Sequence, residues 1–266
     1  MSIFQLNVFG KSKIEVAIER IQSFEPADGY YVAFSGGKDS IVVKSLVEKS
    51  GVAADYHYNS TSVDPPELIY FIRQYHKDVE IHLPNKTMWQ LIPERLMPPT
   101  RLVRYCCSEL KETGGTGRTV ITGVRWAESS RRKNSRGILE ANFGDKKKTI
   151  ILNGDNDEMR RMFETCQMKS KHVLNPIIDW TDQEVWEYIK CMNIPYCNLY
   201  DKGFNRLGCI GCPMSGKHMK EEFKKYPKIE QAYLRAFDRM LIERRRRGLK
   251  TDWESAEDVM KWWISA

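Results

Sequence analysis

A short segment rich in glycine and hydroxyl groups carries the clearest chemical signal in this sequence. It reads Ser35-Gly36-Gly37-Lys38-Asp39-Ser40. Paired glycines let the backbone approach phosphate oxygens closely, and serine hydroxyls and a lysine ammonium can bind the same oxygens. A carboxylate beside a phosphate makes most sense if Asp39 holds a magnesium ion or orients the loop. The segment therefore predicts a phosphate-binding loop.

The residues on both sides of this loop supply the elements that would position it. Tyr30 to Phe34 reads as a short buried strand, and apolar residues between Ile41 and Val47 recur at helical spacing. A helix that begins at the loop directs its unpaired amides and positive dipole end at a bound phosphate. The spacing is not that of a Walker A motif, Gly-x-x-x-x-Gly-Lys-Ser/Thr, so ordinary chemistry at a γ-phosphate is not indicated.

Four of the 7 cysteines form two tight pairs, Cys106-Cys107 and Cys209-x-x-Cys212. Four thiolates suit zinc and an iron–sulfur cluster equally well by ligand type. Zinc ribbons usually use two Cys-x-x-Cys knuckles, and adjacent cysteines place two ligands on one ion awkwardly. The spacing ranks a cluster first, zinc second, and redox or structural thiols third.

Strands and helices alternate on both sides of the phosphate loop, which predicts an α/β fold with a doubly wound parallel sheet. Beyond the loop, the patterns predict strands at 53–58, 79–83 and 119–124 and helices at 68–75 and 88–95. Weak periodicity and many charges predict a mobile loop from Trp126 to Lys148. Thr181 with Glu184 forms a capping box that predicts the start of a further helix.

Helical patterns from Met219 to Arg247 and from Trp253 to Trp263 predict a basic helical C-terminal extension. We place the domain boundaries at 1–215, for a nucleotide-binding domain with the four-cysteine site, and 216–266, for the extension.

The composition is ordinary for a globular protein of 266 residues, with a net charge of +7. No apolar tract is long enough to cross a bilayer and the first residues lack a secretory signal, so we expect a cytoplasmic protein without a membrane partner. Basic runs such as Arg244 to Arg247 suit either phosphate contacts or a solvated face. The scattered Cys166, Cys191 and Cys197 are expected to be buried or half-buried small hydrophobic residues.

Most of the chain, from about Tyr30 to Pro213, resembles the phosphoadenosine phosphosulfate (PAPS) reductase family in the order of its motifs. The phosphate loop is similar to the PP-loop, Ser-Gly-Gly-x-Asp-Ser, of the ATP pyrophosphatase superfamily. The other matching segments are Thr61 to Glu67, Arg104 to Lys111, Gly123 to Arg131, Asn175 to Thr181 and Leu199 to Cys209. The resemblance implies a Rossmann-like adenine nucleotide alpha hydrolase fold. It also implies ATP with Mg²⁺, cleaved between the α- and β-phosphates to activate a substrate oxygen as an adenylate.

The resemblance also assigns roles to individual residues. The cysteine pairs are similar to the 4Fe–4S binding set of assimilatory adenylylsulfate reductases, which makes Cys106, Cys107, Cys209 and Cys212 the expected metal ligands. Lys38, Asp39, Arg125 and Arg131 are the expected catalytic residues. The expected nucleotide-binding residues are Ser35, Gly36, Gly37, Lys38, Asp39, Ser40, Lys111, Gly123 and Arg125.

Some of these residues have a simpler alternative. The alternative for Lys111, Arg125 and Arg131 is that each forms an ordinary surface ion pair. Asp64 and Glu67 suit either a ligand site past a strand end or an acidic helix start, and Asp182 and Glu184 suit helix capping.

Two departures from the reductase pattern bear on the reaction. The chain has no cysteine after Cys212, whereas sulfonucleotide reductases carry a C-terminal Glu-Cys-Gly motif. Its phosphate loop is intact, whereas the reductases tend to have a degenerate one. The chain therefore most resembles DNA phosphorothioation sulfurtransferases and cluster-dependent tRNA thiolases.

This resemblance implies ATP-dependent, pyrophosphate-releasing sulfur transfer with a 4Fe–4S cluster. A phosphosulfate reductase that uses an external thiol and a non-catalytic nucleotide or redox sensor are the alternatives. The acceptor (DNA, tRNA or a small molecule), a sulfur-donor protein and the oligomeric state stay open, and the basic residues favour a nucleic acid acceptor.

Overall fold

The computed structural model describes residues 2–142, 148–152 and 171–265. The chain forms two compact units. The first unit comprises Met1–Tyr58, Phe71–Glu80 and Gly115–Arg206, and the second comprises Asn59–Tyr70, Ile81–Gly114 and Leu207–Ala266. The second unit thus combines the C-terminal part with two earlier segments, whereas a domain boundary after residue 215 stays a prediction.

A sheet of seven strands is present among the described residues, in the order β3-β2-β1-β4-β7-β5-β6. The strands are β1 Tyr30–Ala33, β2 Ala54–Asn59, β3 Val79–His82, β4 Val120–Ile121, β5 Leu139–Asn142, β6 Lys148–Leu152 and β7 Lys171–Leu174. Strand β1 is parallel to β2 and β4, and β4 is parallel to β7. Strand β5 is antiparallel to both β7 and β6. The predicted doubly wound α/β fold is confirmed, with two antiparallel strands at one edge.

Helices connect and cover these strands. They are α1 Lys13–Ser23, α2 Lys38–Ser50, α3 Pro66–Tyr75, α4 Met88–Arg95, α5 Tyr105–Leu110, α6 Ser130–Ser135, α7 Asp182–Cys191, α8 Met219–Lys225, α9 Pro227–Arg246 and α10 Ala256–Ser265. The predicted start of α7 is confirmed, because Thr181 and Glu184 form both hydrogen bonds of a capping box. Buried residues such as Val32, Ile41 and Ile121 form the core of the first unit around the phosphate loop.

The stretch from Trp126 to Lys148, predicted as a mobile loop, contains regular structure. A 3₁₀ helix spans Trp126–Glu128, and α6 and β5 follow it, while residues 143–147 lie outside the described part. The prediction was wrong because Glu140 is a buried charge that interrupts the apolar alternation of β5. Its carboxylate accepts hydrogen bonds from Arg136 and Asn175, so burial of this residue depends on partners that local periodicity does not reveal.

The second unit is helical and has its own hydrophobic core. Helix α4 packs against α9, and Trp263 of α10 is buried in the same cluster of side chains. The predicted helix from Met219 to Arg247 is divided into α8 and α9, because Pro227 lacks the amide that would continue α8. Along the described residues, no helix combines the length and the apolar character needed to cross a bilayer. The expected cytoplasmic location stays a prediction.

The basic run at the end of α9 is bound within the second unit. Arg244 donates hydrogen bonds to the carbonyl oxygens of Leu96 and Lys250. Arg246 and Arg247 both form ion pairs with Glu243. Arg244 therefore serves the packing of the second unit, whereas Arg246 and Arg247 are exposed and form surface ion pairs.

His76 at the end of α3 makes folding stability depend on pH. Burial and the nearby Lys44 ammonium lower its pKa to about 4, and its Nε2 has no hydrogen-bond partner among the described residues. The unfolded chain binds the proton near pH 6.5 whereas the folded chain does not, so stability falls as the pH drops from 6.5 to 4. We expect this residue to remove roughly 2–3 kcal/mol of unfolding free energy over that range.

The variant His76→Phe separates this contribution from the rest of the protein. A phenylalanine ring can keep the contacts with Phe34 and Phe71, whose ring centroids lie 4.8 and 5.1 Å from that of His76. Denaturant unfolding at pH 7, 6, 5 and 4 should show a shallower loss of stability in the variant. Equal slopes in the two proteins would contradict the assignment.

Candidate functional site

The phosphate loop joins β1 to α2 in the first unit. Gly36 has a φ of 70°, a conformation that glycine adopts at little cost, and Gly37 is the N-cap of α2. The Ser40 hydroxyl donates a 2.9 Å hydrogen bond to the Gly37 carbonyl oxygen, and Ser35 Oγ lies 3.2 Å from Ser40 Oγ. The loop is therefore preformed, with the amide end of a thirteen-residue helix directed at its opening.

A charge network centred on the buried Arg125 holds the first turn of α2. Arg125 Nε donates to Asp39 Oδ1 at 2.6 Å, and its Nη2 donates to Asp182 Oδ1 at 2.7 Å. Lys38 Nζ lies 3.3 Å from Asp182 Oδ1 and 3.6 Å from Asp39 Oδ2. The Arg125 side chain is only 2% exposed, so its charge depends on these carboxylates. Two cations are thus fixed beside the phosphate loop.

Asp182 is the member of this network that sequence reasoning missed. It was interpreted, with Glu184, as a capping residue, and only Glu184 makes the capping hydrogen bonds with Thr181. Desolvation opposes the charge of Asp182, but the hydrogen bonds from Arg125 and Lys38 outweigh it and hold its pKa below the usual value. The sequence contains one indication that Asp182 belongs to the site. It stands at the start of a helix that follows a parallel strand, and ligand sites form at this position in such sheets.

Two further residues of the first unit approach the loop closely. The Lys38 amide donates a 2.8 Å hydrogen bond to the Tyr200 hydroxyl. A Cβ atom at Gly123 would lie 3.0 Å from the Asp39 carbonyl carbon, so only glycine permits this packing of the chain after β4 against α2. Arg131 is exposed and has no ion pair within the described ranges. Its predicted catalytic role and the nucleotide contact of Gly123 stay predictions.

The four cysteines of the expected metal site all belong to the second unit. Cys106 and Cys107 lie in the first turn of α5, and Cys209 and Cys212 form a turn before the 3₁₀ helix Pro213–His218. Among the other cysteines, Cys191 is exposed, contrary to expectation, and Cys197 is buried as expected, while Cys166 lies outside the described residues.

Three hydrogen bonds fix the turn between Cys209 and Cys212. The Ile210 amide donates to the Val63 carbonyl oxygen at 2.9 Å, and the Tyr233 hydroxyl donates to the Ile210 carbonyl oxygen at 3.1 Å. The Gly211 amide donates to Glu222 Oε2 at 2.9 Å. Helices α8 and α9 therefore hold this cysteine turn in a defined position.

Positive charge and hydrogen-bond donors surround the thiols. Arg104 Nη2 lies 3.3 Å from Cys107 Sγ, and a hydrogen bond from Cys106, together with Arg104, lowers the pKa of the Cys107 thiol to about 5. Desolvation opposes the charge of Lys111, but Cys209 and Asp64 outweigh it and raise its pKa. The cations do not favour ionisation at every thiol, because the hydrogen bond with Cys107 raises the pKa of Cys106 and burial raises the pKa of Cys209. Metal binds the thiolate form.

The spacing of the sulfur atoms bears on which metal they suit. Within the part of the chain that the structure describes, no three of these thiols lie within 4.8 Å of one another. Four sulfurs at about 2.3 Å from one zinc ion would be closer together than that. Ligands of a cluster bind different iron atoms and stand farther apart. Which of the two these thiols hold stays a prediction.

The carboxylates of Asp64 and Glu67 both accept hydrogen bonds from residues of the second unit. Asp64 accepts 2.7 Å hydrogen bonds from the amide and the hydroxyl of Thr61, whose Oγ1 lies 3.4 Å from Cys209 Sγ. Glu67 accepts a hydrogen bond from the Tyr226 hydroxyl at 2.9 Å. Asp64 therefore helps to order the surroundings of a cysteine.

We expect Gly211→Ala to destabilise the cysteine turn. Gly211 has a φ of 71°, and an added Cβ would lie 2.6 Å from Cζ of the buried Phe223. Both the backbone conformation and the overlap oppose a side chain, so the unfolding free energy should fall by about 2–4 kcal/mol. Gly248→Ala is a suitable control, since it also has positive φ but has no atom within 4 Å of an added Cβ. Equal losses in the two variants in denaturant unfolding would contradict the role of this packing.

Residues 29–215 match the family model described as the phosphoadenosine phosphosulfate reductase domain. The chain belongs to the PAPS reductase family. This confirms the resemblance of the motifs and supports a nucleotide-binding enzyme of that family.

Individual relatives are distant. The adenosine 5′-phosphosulfate reductase of Oceanobacillus iheyensis is 26% identical over 185 residues, which cover 68% of this chain and 69% of that protein. An uncharacterised protein of Methanocaldococcus jannaschii is 27% identical over 228 residues, covering 83% of this chain but 48% of the relative. The match to a second uncharacterised protein of that organism covers 39% of that protein. This chain therefore spans about half or less of the length of these two relatives. Among solved structures, the PAPS reductase of Candida auris in a phosphate complex aligns with a TM-score of 0.47 and 16% identity, over 79% of this chain and 98% of that one.

Proposed function

We propose that this member of the PAPS reductase family is an ATP-dependent enzyme of the sulfurtransferase type, which adenylylates an acceptor and releases pyrophosphate. The observation that carries the proposal is the intact phosphate loop at the start of α2, with Lys38 and Arg125 fixed beside it by Asp39 and Asp182. A triphosphate is the ligand that makes fullest use of a glycine loop, a helix N-terminus and two adjacent cations.

In the proposed reaction, an acceptor oxygen attacks the α-phosphorus of ATP and the bond to the β-phosphate oxygen breaks. The loop amides and the Lys38 ammonium stabilise the negative charge that develops on the departing pyrophosphate. Arg125 fixes Asp39 and thereby the first turn of α2, so the donors are in place before the charge develops. Asp39 Oδ2, which approaches only Lys38 at 3.6 Å, is the oxygen that would reach a magnesium ion bound to the phosphates.

The second part of the proposal concerns the four cysteines. Cys106, Cys107, Cys209 and Cys212 would hold a 4Fe–4S cluster, which when bound supplies either an iron site for sulfide or an electrostatic influence on its surroundings. The vicinal pair Cys106-Cys107, which places two ligands on one ion awkwardly, supports a cluster over zinc, and two cations, Arg104 and Lys111, lie nearby. Arg104 would stay as a hydrogen-bond donor to the sulfur of Cys107.

A phosphosulfate reductase is the second candidate, because the Oceanobacillus iheyensis relative is named as an adenosine 5′-phosphosulfate reductase. Such a reaction needs a thiol that attacks the sulfur of the bound nucleotide. Sulfite release from adenylylsulfate in the presence of thioredoxin distinguishes this candidate from the sulfurtransferase.

Pyrophosphate release from ATP tests the proposal. Protein purified without oxygen is assayed with DNA, tRNA and small acceptors in turn, and iron and sulfide are measured on the same sample. We expect release with one acceptor class, about four irons per chain, and loss of release in Lys38→Met. A protein that has its full iron, binds ATP and releases no pyrophosphate with any acceptor would contradict the proposal.

A further inference from the structure

The second unit contains a cavity of about 520 Å³ that the proposed reaction does not use. It is formed by the chain before α5, the residues that follow Cys212, and the last turn of α10. The lining residues are Thr100, Arg101, Pro213, Gly216, Met219, Lys220, Trp263, Ile264 and Ser265. This volume is in the range of small-ligand sites in proteins.

The cavity combines two cations with an apolar wall. Arg101 and Lys220 supply the charge, and none of the described lining residues is acidic. Neither cation has an ion pair within the part of the chain that the structure describes. Pro213 and Ile264 are partly exposed and form the apolar part of the wall, whereas Met219 and Trp263 are each only 2% exposed. An anion with an apolar portion matches both halves of this lining.

The position of Arg101 is built into the structure. Its Nε donates a 3.1 Å hydrogen bond to the Pro213 carbonyl oxygen, which leaves the two Nη groups for another partner. Gly216 has a φ of 56°, and a Cβ there would lie 2.8 Å from Arg101 Nη2. A residue with a side chain at 216 would therefore displace the guanidinium, and glycine gives it room.

The cavity and the cysteine site share the same two chain segments. Pro213 follows Cys212 directly and binds Arg101, while Arg104, three residues further along, approaches Cys107. A ligand bound in the cavity would contact Pro213, which is next to Cys212. This is the arrangement expected for the acceptor of a sulfur atom, and this part of the argument rests on the proposed function.

We propose that the cavity binds the phosphate ester of a nucleotide, with the phosphate on Arg101 and Lys220 and the base against the apolar wall. The nucleotide is either a free mononucleotide or one residue of a single strand. It is bound independently of the phosphate loop in the first unit.

Calorimetric titration of the cluster-loaded protein tests this proposal. The phosphate loop is first saturated with a non-hydrolysable ATP analogue, and thymidine monophosphate, thymidine and a four-residue oligothymidylate are then added in separate experiments. We expect a further site that binds a phosphate-bearing probe at least about tenfold more tightly than thymidine. Binding of the mononucleotide identifies a free nucleotide, and binding of the oligonucleotide alone identifies a strand.

Matched variants locate the binding site. Arg101→Met and Lys220→Met should each weaken binding of the phosphate probe by about tenfold or more and flatten its dependence on salt. Lys224→Met is the control, since Lys224 lies on the same helix and pairs with Glu221 outside the cavity. Lys220 makes no contact that the fold needs in the described structure, so its variant remains informative if Arg101→Met unfolds.

Three results would overturn the proposal: no binding of either phosphate probe, equal binding of thymidine, or equal losses in Lys220→Met and Lys224→Met. The readout is binding, so it is independent of pyrophosphate release. A protein that releases pyrophosphate but has no second site refutes the cavity proposal alone. A protein with the second site and no pyrophosphate release refutes the proposed reaction alone.

Discussion

Replacing Arg125 with lysine is expected to lower the rate of pyrophosphate release by about 100-fold while the protein stays folded. The guanidinium reaches Asp39 and Asp182 at once with two of its nitrogens and the Trp180 carbonyl oxygen with a third. A lysine ammonium keeps the buried charge but cannot span three partners in this geometry. The first turn of α2 would then lose its fixed position while the carboxylates keep a counter-ion, which limits the loss of stability.

Steady-state pyrophosphate release and thermal unfolding on the same preparations check this result. Lys133→Met, which removes an exposed charge from α6 of the same unit, should leave both measurements nearly unchanged. The release rate of Asp182→Asn should lie between those of Arg125→Lys and Lys133→Met. This substitution removes the charge of a carboxylate that pairs with both Arg125 and Lys38. An Arg125→Lys protein with the release rate of the unaltered chain would show that the network has no part in placing the phosphate loop.

The phosphate loop was predictable from sequence because its information is local. Ser35 to Ser40 stand between a strand and a helix in the chain, and the structure has β1 and α2 at those positions. The capping box at Thr181 and Glu184 is local in the same way, since both partners lie within one helical turn. Patterns of this kind need no knowledge of the rest of the fold.

The charge network around Arg125 could not be predicted in this way. Arg125 meets Asp39, 86 positions away in the chain, and Asp182, 57 positions away. In the sequence, each of these residues belongs to a different segment and can be explained within it, for example Asp182 as a helix cap. Only the order of strands in the sheet brings β4, α2 and α7 together, and that order depends on long-range packing.

The four cysteines that we propose as ligands are visible in the sequence, but the residues that support them are not. Cys-x-x-Cys and a vicinal pair are visible in sequence, whereas Val63, Glu222 and Tyr233, which hold the turn of Cys209, carry no motif. Helix α5, which presents the other pair, is six residues long and shows too little periodicity to predict. The basic run at Arg244 to Arg247 was visible as well, but the hydrogen bond from Arg244 to the distant Leu96 carbonyl oxygen was not.

Replacing Cys209 with serine is expected to reduce bound iron from about four atoms per chain to fewer than one. A serine hydroxyl stays protonated at neutral pH and is a poor ligand for iron, so the set of four thiolates is incomplete. Cys209 also packs against the core of the second unit and lies 3.4 Å from Thr61. Binding of the cluster is linked to folding, so the second unit should melt several degrees lower in the variant.

Iron, sulfide and zinc are measured on anaerobically purified protein, alongside thermal unfolding before and after removal of metal with a chelator. Cys191→Ser is the matched control, because Cys191 is an exposed thiol on α7 of the other unit and should keep all the iron. Chelation should lower the melting temperature of the unaltered protein toward that of Cys209→Ser and leave that variant unchanged. Full iron in Cys209→Ser would remove this cysteine from the ligand set. One zinc per chain in the unaltered protein would instead favour a zinc site, and the thiols would then have to move closer together than they lie in the structure.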